Sequence, residues 1–346
     1  MNVTFLIGNG FDLNSGLKSS YHDIYKEYVK QPSSSNIIAK FKNDLWDDKE
    51  NWGDFEVAMS KYIRNFTSEN DFLVCLRDFI KYLEQYLTKE AAPYSNITDD
   101  NLSSVISEEM YRSLTQFHKG VTHDLDTLDI ENANINAIVF NYTSVIDDLY
   151  DLTNFTYPNL IDNIVHIHGR LNDDVIMGMD NISQLTNMHF HLSRKSRRAF
   201  IKSEYNNAYD KARLNNAEKI ISESDVICIF GMSLSESDLR WRNLLLSWLR
   251  KNKNVHLFLY QYECSILPFV NAEQRLSIEE DQKEVLLSQW GVGNNEIDLY
   301  FDNIHIPCCK NIFNFKDVIE KETIRIKRIR EQNKKRPVEL ALKQSR

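Results

Sequence analysis

The chain has 346 residues, a formal net charge of -9, 42% hydrophobic and 26% charged residues, enough for two domains or for one domain with a large insertion. The acidic balance excludes a body that grips nucleic acid by charge, and no apolar run approaches the ~18 residues that span a membrane. The start, MNVTFLIGNG, lacks a basic leader, so a cytoplasmic protein is expected.

Val3 to Ile7 is a short, nearly continuous apolar run, as in a strand buried on both faces of a parallel sheet. Gly8, Asn9 and Gly10 break it and Gly16 follows, so three of only 10 glycines fall in one loop. A polar stretch then leads to a helix with Tyr21, Ile24, Tyr25 and Tyr28 at helical spacing. From residue 31 to 130, apolar residues recur every three or four positions, which predicts a helical insertion with Trp46, Trp52, Phe55 and Phe79 in its core.

Strands return after Asn132. INAIVF, NIVHIH, VIMGM, DVICIF and VHLFLY are short apolar runs alternating with helical segments, and EIDLYF and NIHIP are candidate edges. This predicts an α/β fold: a mostly parallel sheet flanked by helices. The core is expected in 1–30 and 131–315, the helical insertion in 31–130 and a basic helix or tail in 316–346. That last segment carries 11 Lys and Arg against 5 Asp and Glu, leaving about -15 on the rest.

Ligands of open α/β sheets bind beyond the carboxyl ends of the strands. There the sequence turns polar and glycine-rich: Gly8, Gly10 and Gly16, then Asn141 and Tyr142, then His168 and Gly169, then Gly231 and Ser233. Glycines after the first strand can bring backbone amides to a phosphate, although the spacing is not G-x-G-x-x-G. A side chain at Gly10 is expected to weaken such binding while sparing the fold. Asp12 would repel a phosphate and suits ribose hydroxyls or a helix cap. His168, at a strand end beside a glycine, can act as a general base, whereas His166 suits a structural role. Asn141 cannot titrate but can hold a water or a ribose. Ser235 and Asp238 read as a capping pair, with Ser233 at a helix N-terminus. The five cysteines lack C-x-x-C spacing, and His189 and His191 lack partners at ligand spacing, so no metal is expected.

The stretches LIGNGFDLNSGL, FNYTSVID, HIHGRL and FGMSLSESD, in that order, resemble the abortive-infection AbiH family of bacterial anti-phage proteins. That family in turn resembles the sirtuin-like NAD-binding superfamily, which implies a Rossmann-like core. The deacylase features of that superfamily, a four-cysteine zinc module and a Pro-Asp-Phe-Arg segment, are missing here. The resemblance therefore implies the defence branch, whose members hydrolyse NAD. It implies that Asn141, His168 and Asp12 are catalytic, Asn141 holding ribose and water, His168 taking a proton and Asp12 acting electrostatically. Gly8, Asn9, Gly10, Phe11, Tyr142, Gly169, Gly231, Ser233, Leu234 and Asp238 would bind NAD, with Gly16 permitting close helix packing.

NAD or a related nucleotide is thus the expected partner, with a phage-derived or host protein as trigger and a homo-oligomer as the expected assembly. Two other readings stay open. One is a nucleotide-binding sensor that acts through a protein partner without turnover. The other is a nuclease or nucleic-acid effector guided by the basic tail, though no acidic metal-ligand cluster supports it.

Overall fold

The computed structural model describes residues 1–47, 54–118, 130, 132–185, 188–234, 236–251, 254–260, 272–307 and 312–325. β1 (Asn2–Ile7) runs directly into α1 (Gly10–Ser15) and α2 (Tyr21–Tyr28). Next come α3 (Asn36–Asp47), α4 (Phe55–Tyr62), α5 (Glu69–Ala91) and α6 (Asp100–Thr115). β2 (Asn134–Val139), α7 (Val145–Asn154) and β3 (Asn163–His166) follow, then α8 (Arg194–Phe200), α9 (Lys202–Tyr209) and α10 (Lys211–Glu223). β4 (Val226–Phe230), α11 (Leu239–Lys251), β5 (His256–Tyr260), α12 (Ala272–Gln289) and β6 (Ile304–His305) complete the order.

Among the described residues six strands form one sheet, β3-β2-β1-β4-β5-β6, and every pairing is parallel. This is a Rossmann-like α/β fold. The order reverses between β1 and β4, where Phe5 stands opposite Cys228 on one side and Ala137 on the other.

Strand alternation divides the interior into two layers. Val3, Phe5 and Ile7, with Ala137, Val139, Cys228 and Phe258, face α6 and α7 through Ile106, Met110, Leu114, Val145 and Leu149. Leu6, Ile138, Ile227, Ile229 and Leu257 face the other way, against Leu214 and Ile221 of α10 and Trp241 and Leu245 of α11. A third core gathers α2 to α5 with Met177, Met179, Phe200 and Ile201. Within it Phe55 and Phe79 stack at 3.7 Å and are fully buried, as expected.

Several elements differ from the sequence reading. The loop after β1 becomes α1, a helix too short for periodicity to reveal. VIMGM is not a strand: Gly178 has φ +138, outside regular strand geometry, and its segment carries one isolated bridge, Met179 to Ile201. EIDLYF folds into two 3-10 turns, Ile297–Leu299 and Phe301–Asn303, because its amides bond three residues back. NIHIP does supply β6. Trp46 is 37% exposed rather than core, and Trp52 lies outside the described residues. No helix among the described residues is long and apolar enough to cross a membrane.

Candidate functional site

The carboxyl ends of β1, β2 and β3 bring Asp12, Asn141 and Thr143 together and set His168 at the neighbouring strand end. Asp12 sits in the first turn of α1 and is buried, accepting from Asn141 Nδ2 at 2.9 Å and Thr143 Oγ1 at 2.7 Å. Burial outweighs both bonds and pushes its carboxyl up to about 6. A carboxylate only accepts, so Asn141 must turn its NH2 toward Asp12. Asn141 Oδ1 is then left as a buried acceptor with no hydrogen-bond partner.

His168 lies two residues beyond β3, edge-on to Phe140 at 5.3 Å and tilted against Tyr142 at 6.3 Å. Burial holds its pKa well below the ordinary 6.5, the Lys202 charge lowers it further, and a hydrogen bond with the Phe140 backbone opposes both. The ring is therefore neutral at pH 7. Its Nε2 is buried without a hydrogen-bond partner, with Asp238 Oδ1 the facing carboxylate at 3.8 Å. His166 has a structural setting by contrast: Asp147 holds its Nε2 at 2.8 Å and Arg170 holds the other Asp147 oxygen at 2.8 Å.

The glycines serve the fold more directly than expected. A Cβ on Gly10 would lie 2.3 Å from Gly231 Cα, and one on Gly8 2.4 Å from Met232 Cβ. The Gly8 and Gly10 amides already donate to Phe230 and Gly231 carbonyls, both at 2.8 Å. Room beside Gly169 is taken by the Asp174 carbonyl, 1.4 Å from where a Cβ would stand. Gly16 is not a packing glycine but the left-handed cap of α1, with φ +102. The Phe11 ring lies in the core against Phe313 and Phe315, and Leu234 is 2% exposed in the other layer. Ser233 is exposed and stands three residues before the 3-10 turn Glu236–Asp238 that runs into α11. Asn9 is exposed and its side chain donates to the Ser19 carbonyl.

The expected Ser235–Asp238 cap falls on Ser235, which lies outside the described residues. Asp238 accepts from Lys202 Nζ at 3.3 Å, and Lys202 also reaches Glu56 Oε2 at 3.1 Å. Sequence reasoning missed Glu56 and Lys202. No motif joins residues from two helices 146 positions apart, and the one signal was an acidic residue opening α4, which reads as a helix-dipole partner. Burial raises Glu56 to about 7 against the pull of Lys202. Burial alone would discharge Lys202, but the carboxylates of Asp238, Glu56 and Asp180 outweigh it and keep the ammonium charged.

The model for the bacteriophage abortive infection AbiH family matches residues 4–260. This chain belongs to the AbiH family. The match runs from β1 through β5 and takes in every residue of the rim site, including Glu56 and Lys202. The family places the protein in anti-phage abortive infection. No curated protein matches the chain.

Among the described residues, no group of three or more His, Cys, Asp or Glu is arranged to hold a metal in this AbiH protein. Cys75 and Cys228 are buried; Cys264, Cys308, Cys309 and the tail beyond 325 lie outside the described residues. An open cleft of 480 Å³ between α2 and α5 is lined by mixed charges such as Lys26, Glu27, Lys89 and Glu90. The rim differs in chemistry: its acceptors are buried and two have no bonding partner.

Proposed function

We propose that this AbiH protein binds NAD at the carboxyl rim of its sheet and hydrolyses it to nicotinamide and ADP-ribose, lowering NAD in the infected cell. The observation that carries the reading is the pair of buried acceptors without partners, Asn141 Oδ1 and His168 Nε2. Unmade hydrogen bonds of this kind cost about 1–3 kcal/mol each, and a ligand that donates to both would recover that cost.

In the proposed reaction, Asn141 Oδ1 accepts from a ribose hydroxyl or from the attacking water. The water oxygen bonds to the ribose C1′ as the C1′–N bond breaks, and that bond's electron pair neutralises the pyridinium nitrogen. Neutral His168 takes the water's proton at Nε2. Positive charge develops on the sugar, and ionised Asp12 stabilises it through the low-dielectric rim. Tyr142 and Asp238 lie beside His168 and would border the nicotinamide end. The Gly8 and Gly10 amides are committed to the protein's own carbonyls, so exposed Asn9 and Ser233 are left for the remainder of the dinucleotide.

The test is incubation of purified protein with NAD, alone and with infected-cell extract, with nicotinamide and ADP-ribose followed over time. Release that Asn141→Ala and His168→Ala both abolish supports the reaction. Saturable NAD binding with no release in either condition would leave the nucleotide sensor in its place.

A further inference from the structure

Lys202 opens α9, yet only 3% of it is exposed. Its ammonium lies 3.1 Å from Glu56 Oε2, 3.2 Å from the Ser237 carbonyl and 3.3 Å from Asp238 Oδ1. A lysine has three N–H donors, and here each has an acceptor. Those acceptors belong to distant parts of the chain: Glu56 to α4 of the third core, Ser237 and Asp238 to the turn between β4 and α11.

Both arms are themselves fixed. Glu56 Oε1 accepts from the Gly178 amide at 2.9 Å and from the Tyr142 hydroxyl at 3.5 Å. Ser237 Oγ donates to Asp54 Oδ2 at 3.0 Å, tying the same turn to the residue that caps α4. The Asp238 atom held by Lys202, Oδ1, is the atom 3.8 Å from His168 Nε2.

We propose that Lys202 is a positioning residue of the rim site: it clamps Glu56 of the inserted helices to Asp238, fixing the carboxylate and the cation that His168 faces. The clamp rests on the reading of His168 as the base. It also makes α4 part of the site rather than an appendage, since Glu56 reaches the rim through Lys202 and Tyr142. The charged or titratable groups around the ring are Lys202 on α9, Asp238 before α11 and Tyr142 after β2, with Glu56 of α4 behind Tyr142.

Structural ion pairs are common, so a second property must separate a clamp from one of them. Lys202 works against protonation of His168, and removing its charge therefore raises the pH at which the ring titrates. An ion pair that only joined two helices would lower stability when broken and leave kcat unchanged in the variant that still folds.

The experiment uses the full chain with Lys202→Met and with the double variant Lys202→Met/Glu56→Gln. The double variant removes both charges, leaving no lone buried carboxylate at Glu56, and keeps the question open if the single variant fails to fold. In whichever folds, NMR should show His168 titrating at higher pH than in wild type. The kcat for nicotinamide release should fall by about 10²-fold, the loss expected for a misplacement on the order of 1 Å, with little change in the NAD dissociation constant. A wild-type His168 titration together with an unchanged kcat overturns the clamp. Should wild type bind NAD but release no nicotinamide, the reaction fails on its own account. The NMR titration then tests Lys202 as the cation that His168 faces, an upward shift supporting that part of the clamp and no shift overturning it.

Discussion

Gly10 and Gly231 meet backbone to backbone at the point where strand order reverses, with the Gly10 amide donating to the Gly231 carbonyl at 2.8 Å. The crevice that such sheets usually offer to a pyrophosphate is, at this spot, filled by the protein's own loops. Gly10→Ala should therefore destabilise the fold. Alanine gains about 1 kcal/mol over glycine in a helix, but its Cβ would stand 2.3 Å from Gly231 Cα, and overpacking against fixed backbone costs about 1–3 kcal/mol or more. Thermal melting should show a clear loss for Gly10→Ala. Gly16→Asn should cost little, because a Cβ there meets only the flexible Lys316 side chain at 3.5 Å and asparagine tolerates the left-handed conformation. Equal melting of Gly10→Ala and wild type would show that the loops part easily and that the crevice is open to a ligand.

The strands of the sheet were legible because β1, β2, β4 and β5 are apolar on both faces, a pattern that survives without knowledge of neighbours. The rim residues Asn141 and His168 were legible because each stands just two residues beyond a strand, β2 and β3. What stayed hidden depends on contacts between distant segments. Nothing local marks Gly8 and Gly10 as sites of backbone contact rather than phosphate contact. Nothing marks Lys202 as buried either, since its three acceptors lie at 56, 237 and 238. VIMGM misled because Met177 and Met179 do point into a core, but into that of the inserted helices and not the sheet.

Asp12 carries a measurable stability signature. Its folded pKa, about 6, lies above the ordinary 3.8, so the neutral carboxyl is the form that the fold favours. Its contribution is fully present below pH 3.8 and is lost as pH rises through about 6, a difference of about 3 kcal/mol. Asp12→Asn removes the cost of the buried charge, and its amide can still accept from Asn141 and donate to the Thr143 hydroxyl. The variant should melt higher than wild type at pH 8, with the advantage shrinking by pH 4. A lower melting temperature at both pH values would mean that the ionised carboxylate stabilises the fold after all.

At the far end of the sheet, His256 Nδ1 and His305 Nε2 share a hydrogen bond at 3.1 Å between β5 and β6. Burial, then the His256 and Lys283 charges, hold His305 down at about 3, and burial lowers His256 as well. Both folded pKa values lie below the unfolded one, so the pair's stability is present above pH 6.5 and is lost as pH falls toward 3. His305→Phe, which can pack on the Phe258 ring now 4.9 Å away, should flatten the acid side of a plot of melting temperature against pH. An acid limb as steep as in wild type would place the titrating groups elsewhere.

The proposed reaction needs Asp12 ionised and His168 neutral, and the two groups should lose those forms at different pH values. As pH falls, Asp12 is protonated near about 6, while burial and the Lys202 charge keep His168 neutral to well below 6.5. The profile of kcat/KM reports groups of the free enzyme, so its acid limb in wild type should fall near 6 and belong to Asp12. Asp12→Asn should then do two things at once. The rate at pH 8 should drop by on the order of 10²-fold, as expected for losing one preorganised electrostatic contact to a charged transition state. The limb itself should move below 6, to the pH at which His168 finally takes a proton. A limb that stays near 6 in Asp12→Asn would assign it to His168 and contradict the buried, neutral ring. An unchanged rate and an unchanged limb would remove Asp12 from the chemistry and leave it as the residue that orients Asn141.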